Sequence, residues 1–149
     1  MSLNDETPSR YIVLKWRPLD EKVLKAKRGD CGSQALWDAY TLLIALKTWT
    51  HLLVAKRAEL HLFGDAEGVL RAVLAKKARN AAVNLVIAEI GLTLAPTNFD
   101  LQAAHLWSEE NALADALSRG AEGIEVPAEL ADAVKDQVRW SQFKFLRED

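Results

Sequence analysis

Three aspartates stand where a carboxylate is an unusual choice, and a histidine precedes the last of them. Asp115 lies in the segment HLWSEENALADALSR, which runs from His105 to Arg119 and reads as a strand end, a loop and then a helix. Ser108 suits the N-cap of that helix, and Glu109 and Glu110 suit the positive end of its dipole. Asn111 and Asp115 are four residues apart and project from one face, while Leu113, Ala116 and Leu117 can pack on the other. Arg119 and Gly120 give a helix stop. A carboxylate one turn into a helix, beside an asparagine and a histidine, is more than capping requires. It has the chemistry to hold a divalent cation next to a phosphodiester. Asp38 sits within a strongly apolar run, where aspartate is a poor helix former and costly to bury unpaired. Asp65 follows Gly64 after a short apolar strand; alone, it reads as a turn residue or the N-cap of the next helix.

The elements that must position these residues follow from hydrophobic periodicity. Tyr11 to Trp16 is a short β-rich run stopped by Pro18, and Asp20 to Ser33 reads as an irregular, charged connection ending in Gly, Cys and Gly. Gln34 to Val54 is a long helix, apolar nearly all round, of the kind that lies against a sheet or within a core. Leu60 to Phe63 is a strand. Helices follow over 68–77, with Val69, Leu70, Val73 and Leu74 on one side, and over 81–94, built on Val83, Leu85, Val86, Ile87 and Ile90. Pro96, Thr97 and Asn98 break the second, and Phe99 to Leu106 is a strand leading into the Asp115 segment. From Pro127 onward the register of Leu130, Val134 and Val138 predicts a helix. Strands alternating with helices argue for an α/β layer fold.

With 149 residues, half of them apolar, the chain is the right size for one domain with a substantial core. A formal net charge of −2 gives no global signature of nucleic-acid binding. Such binding would fall to local patches, Lys25, Lys27 and Arg28 or Lys76, Lys77 and Arg79, each of which reads first as a solvated face. One cysteine, Cys31, excludes an intramolecular disulfide and a cysteine-built zinc site and fits a reducing compartment. Apolar stretches are interrupted by charged residues within a few positions, so neither a signal peptide nor a membrane span is expected. An intracellular location, cytoplasmic or nuclear, is the expectation. Trp37 and Trp49 read as core or rim aromatics and Trp107 as the one candidate for stacking on a base. His51 and His61 read as surface or packing residues.

Seven residues of the HLWSEENALADALSR segment, His105, Asn111, Ala114, Asp115, Leu117, Ser118 and Arg119, keep the spacing of a known motif. The segment resembles the closing motif of the ribonuclease H domain in retroelement reverse transcriptases, with Trp107 and Ser108 where that family usually has Pro and Gly. The resemblance covers roughly residues 10–120. It implies a ribonuclease H-like fold, a mixed five-stranded sheet flanked by helices, entered at the family's second strand and so N-terminally truncated. Residues 1–9 would then be a frayed start, and 121–149 a helical tail or linker.

The same resemblance assigns the site. Trp37-Asp38-Ala39-Tyr40 is similar to the family's Trp-Glu-Ala-Leu, which puts Asp38, one methylene shorter, in the glutamate position. Gly64-Asp65 corresponds to the family's Ser-Asp or Thr-Asp, and Asp115 to the aspartate of the last helix. Asp38, Asp65 and Asp115 would be the metal ligands and, with His105, the catalytic set. His105 would help product release or proton transfer, or be structural; Asn111 and Arg119 would contact nucleic acid. The cofactor implied is Mg²⁺ or Mn²⁺ in a two-metal site, the ions about 3.5–4 Å apart. The partners implied are an RNA/DNA hybrid and the remainder of a polyprotein, with no membrane. The family's first-strand aspartate has no counterpart: Asp5 lies in a run without strand character and Asp20 follows the first strand. Three function classes are therefore carried forward. They are an endonuclease cutting the RNA strand of a hybrid, with a further carboxylate from Asp20 or a neighbouring chain; a catalytically inactive remnant that binds hybrids; and an interaction module whose open sheet edge pairs with another chain.

Overall fold

The computed structural model describes residues 9–53, 58–107, 109–120, 128–140 and 143–147. Its elements are α/β: β1 (Arg10–Tyr11), α1 (Pro18–Leu24), α2 (Gln34–Leu53), β2 (Ala58–Gly64), α3 (Glu67–Ala75), α4 (Ala81–Leu94), β3 (Phe99–His105), α5 (Ala112–Gly120) and β4 (Val134–Lys135), with 3₁₀ turns at Cys31–Ser33 and Ala128–Leu130.

The organising unit is β2–α3–α4–β3. β2 and β3 pair in parallel, Ala58 opposite Phe99 through Gly64 opposite His105. A parallel pair needs a crossover connection, which α3 and α4 supply. Leu60, Leu62, Leu101 and Ala103 turn one way, toward the helices, and Glu59, His61, Phe63, Asp100, Gln102 and Ala104 turn the other, toward solvent. That alternation is the period of two expected of a sheet packed on one face. α2 lies against α4, and its Tyr40, Leu43 and Ile44 are fully buried with Val86 at the centre of the core. Burying each such side chain contributes about 1.5–3 kcal/mol.

Local signals set the helix ends. Asn80 caps α4, its Oδ1 accepting from the Ala82 and Val83 amides at 2.9 and 3.1 Å. Lys76 ends α3 in the left-handed region, φ 55°, and its amide returns to the carbonyls of α3.

Several expectations are corrected. Among the described residues the strands form two separate two-stranded sheets, both parallel, rather than one mixed sheet; β1 pairs with β4, not with β2. The first strand is two residues long because that pairing offers only Val134 and Lys135 as partners. The connection expected to be irregular opens with α1: Pro18 sits inside its first turn, where its missing N–H is no loss, and Asp20 Oδ2 accepts the Arg17 amide at 2.6 Å.

In the tail, the described residues beyond Pro127 form a 3₁₀ turn, β4 and irregular backbone rather than a helix. Their polar groups are taken up at long range. Asp136 accepts from Trp49 Nε1 at 2.8 Å and pairs with Arg10 at 2.7 Å; the Arg139 amide donates to Thr48 Oγ1 at 3.2 Å. The Phe145 and Leu146 amides both donate to Glu89, itself 1% exposed, and Leu146 joins the core. These bonds replace an intrahelical ladder and tie the tail to α2 and α4. No helix among the described residues is long and apolar enough to cross a membrane.

Candidate functional site

Asp38 and Asp65 come together although they are far apart in sequence. Asp38 is in the second turn of α2; Asp65 directly follows β2, at the carboxyl end where ligands of parallel sheets are commonly met. Both line a cavity of about 260 Å³ walled by α2, the end of β2 and α3, with Thr41, Leu42, Leu62 and Val69 as further lining. Asp38 is half-buried, and its Oδ1 accepts from Gln34 Nε2 at 2.9 Å. Burial raises its carboxyl above the usual range, the Gln34 bond partly opposes this, and the nearby Asp65 charge adds to the rise. The Asp38 carboxyl therefore senses the Asp65 charge across the cavity.

His105 closes the same end of the sheet. It lies opposite Gly64 in the β2–β3 register, and the chain is clamped there by the Leu106 amide donating to the Gly64 carbonyl at 2.8 Å. Its Nε2 donates to the Asp65 backbone carbonyl at 3.2 Å, which orients the ring beside the carboxylate-bearing turn and leaves Nδ1 outside that bond. Trp107 packs edge-on against it, ring centroids 5.0 Å apart, and is 71% exposed.

Asp115 is on the exposed side of α5 and does not line the Asp38–Asp65 cavity. α5 begins at Ala112, so Glu109 and Glu110 lie in the turn before it and not in its first turn; the Asn111 carbonyl accepts the Asp115 amide at 3.1 Å. Ser108, expected as the cap, lies outside the described residues, as does the side chain of Arg119. Asn111 is partly buried where the loop meets α5.

Asp20 is removed from candidacy. It is fully buried, accepts from Tyr40 Oη at 3.0 Å and from Arg17 Nη2 at 2.8 Å, and belongs to the core. Trp37 is buried, Trp49 is spent on Asp136, and His51 and His61 are exposed. Two contributors went unread in the sequence. Gln34, which holds Asp38, was open to detection from its spacing of four on the same helix. Thr41, one turn further on, has no sequence signal of its own.

Carboxylate oxygens are the donors magnesium and manganese prefer. Two-metal hydrolysis needs more of them than one pair, and among the described residues no group of three His, Cys, Asp or Glu side chains is arranged to hold a metal ion. The residues present thus fit the chemistry of such an ion without making up its full ligand set. No protein-family model, curated protein or solved structure matches the chain.

Proposed function

We propose that the chain is a ribonuclease H-like domain that engages RNA/DNA hybrids, of the kind found within retroelement reverse transcriptase polyproteins, with the Asp38–Asp65 cavity facing the scissile strand. The observation that carries this reading is the meeting of Asp38 and Asp65 at the carboxyl end of β2, beside His105 at the carboxyl end of β3. The order helix, strand, two helices, strand, helix from α2 to α5 accords with it, as does the placement of Asp115 on the helix directly after His105.

The chain's own residues have definable parts. Gln34 orients Asp38, the Leu106–Gly64 clamp fixes the turn that presents Asp65, and His105 has a ring nitrogen left for a proton or a phosphate oxygen. Exposed Trp107 offers a face for a base. A divalent ion, when bound, would supply the activated water and stabilise the leaving oxygen.

A second reading, hybrid binding without hydrolysis, is favoured by one observation: the third carboxylate, Asp115, is outside the cavity. One experiment separates the two. A labelled hybrid is incubated with the chain and Mg²⁺ or Mn²⁺, and binding and strand cleavage are both read for wild type, Asp65→Asn and Asp115→Asn. RNA-strand cleavage lost in both variants establishes the nuclease. Binding without cleavage establishes the second reading, and absence of both overturns the family assignment.

A further inference from the structure

A second cavity lies elsewhere, and the cleft chemistry above makes no use of it. It holds about 400 Å³ between the end of α1, the amino ends of α2 and α4, and the C-terminal tail. Pockets of that size accept compact small molecules. Its floor is apolar and includes Leu24 and Val83, 5% and 7% exposed. Leu85 and Phe145 border it and stay 44% and 40% exposed, two of the large apolar side chains that folding leaves uncovered.

The charged side chains among the described lining residues are cations, while the Glu89 and Asp30 carboxylates stand behind the lining and are taken up by the Phe145, Leu146 and Gly32 amides. Among the described residues of its lining Lys25 and Arg147 are the ionisable side chains, and neither is in an ion pair among the described residues. Arg147 spends Nε on the Lys144 carbonyl at 3.4 Å, and its terminal nitrogens are not engaged there. The first turns of α2 and α4 carry no acid to offset the two cations. An apolar floor with a rim of two cations discriminates in two steps. The floor selects an apolar body, and the rim selects a negative headgroup able to take charge-assisted hydrogen bonds.

We propose that the cavity between α1, the amino ends of α2 and α4, and the C-terminal tail binds a small amphipathic organic anion, a one- or two-ring or medium-chain body bearing one carboxylate or sulfonate. The headgroup sits between Lys25 and Arg147, and the body covers Leu24, Val83, Leu85 and Phe145.

The test uses the full chain and the probe 8-anilinonaphthalene-1-sulfonate, with its uncharged counterpart N-phenyl-1-naphthylamine as control. The expected result is saturable one-site binding of the sulfonate, displaced by decanoate. In the double variant Lys25→Gln/Arg147→Gln the sulfonate should bind about tenfold more weakly, with the uncharged probe changed less than about twofold. Leu85→Asp, which puts a charge at the apolar mouth, should weaken both probes. Both substituted cations are exposed, so melting curves of the variants should overlay the wild type. Unsaturable sulfonate binding, or equal affinity in the double variant, would overturn the proposal. Neither result depends on whether the chain cleaves or binds hybrids.

Discussion

Asp20 accepts the Tyr40 hydroxyl at 3.0 Å while Arg17 closes on its carboxylate from the solvent side, so a fully buried charge is neutralised within three residues of its own position. The Arg17 guanidinium in turn lies 3.5 Å over the Trp140 ring, which links α1, α2 and the tail. The Asp20 bond holds Arg17 in its charged form, and burial together with the Asp20 charge pushes the Tyr40 hydroxyl well above its ordinary value. Removing Asp20 leaves the buried Tyr40 hydroxyl and the Arg17 amide without their acceptor, while the Arg17 guanidinium, 37% exposed, returns to water. Asp20→Ala is expected to cost about 2–3 kcal/mol and Tyr40→Phe about 1–2 kcal/mol, measured by urea unfolding.

Asp38 should behave in the opposite way. Its carboxyl is raised in the folded chain by burial first and by Asp65 as well, so folding favours the protonated form. For an acid with a raised folded pKa, the favourable contribution is present below the unfolded value and is lost as pH rises through the folded value. At pH 7 the charged side chain therefore costs stability, and Asp38→Asn should raise Tm. That gain should vanish below about pH 4, where the wild-type residue is protonated in both states. Calorimetry at the two pH values reads the difference. If the cleft is a nuclease, the same variant loses turnover while gaining stability, as expected when a site is held at the expense of the fold.

Glu89 places a carboxylate in the core to receive two amides from the tail. Glu89→Ala leaves the Phe145 and Leu146 amides without an acceptor and should destabilise by about 2–3 kcal/mol. Limited proteolysis should then cut first within 140–147, and a chain ending before residue 143 should be insensitive to the same substitution.

Lys76 occupies a left-handed conformation that glycine adopts without penalty. Lys76→Gly should stabilise by about 0.5–1 kcal/mol, measured by the urea midpoint at unchanged m-value.

If hybrids are bound, exposed Trp107 is the side chain available to stack on a base. Trp107→Ala should then weaken hybrid affinity by about 1–3 kcal/mol without shifting Tm. Neutralising Lys77 and Arg79 should instead flatten the salt dependence, the logarithmic slope falling by about two.

What the sequence discloses depends on how local the cause is. α2, α4, β2 and β3 are carried by periodicity within their own residues, and the structure gives α4 the bounds that Asn80 and Leu94 suggest. α1 was hidden because Pro18, read as a stop, is also the best first residue of a helix. The tail was misread because Leu130, Val134 and Val138 keep a helical spacing while Asp136, Arg139 and Phe145 answer to Trp49, Thr48 and Glu89, partners 87, 91 and 56 residues distant. At the site, Asp38 was conspicuous as a carboxylate in an apolar helix. Its meeting with Asp65 is legible only once β2 is laid beside α2.

The pairing of Arg10 and Tyr11 with Val134 and Lys135 also sets an order of events. β1 is synthesised well before its partner β4, so a chain emerging from the ribosome can assemble α2, β2, α3, α4 and β3 while β1 is still unpaired. Closing the β1–β4 pair comes after that unit is formed, and of the described strand pairings it spans the longer loop and carries the larger loop-entropy cost. A nascent chain stalled before residue 134 should accordingly hold the β2–β3 unit in place and keep residues 10–11 open to a protease.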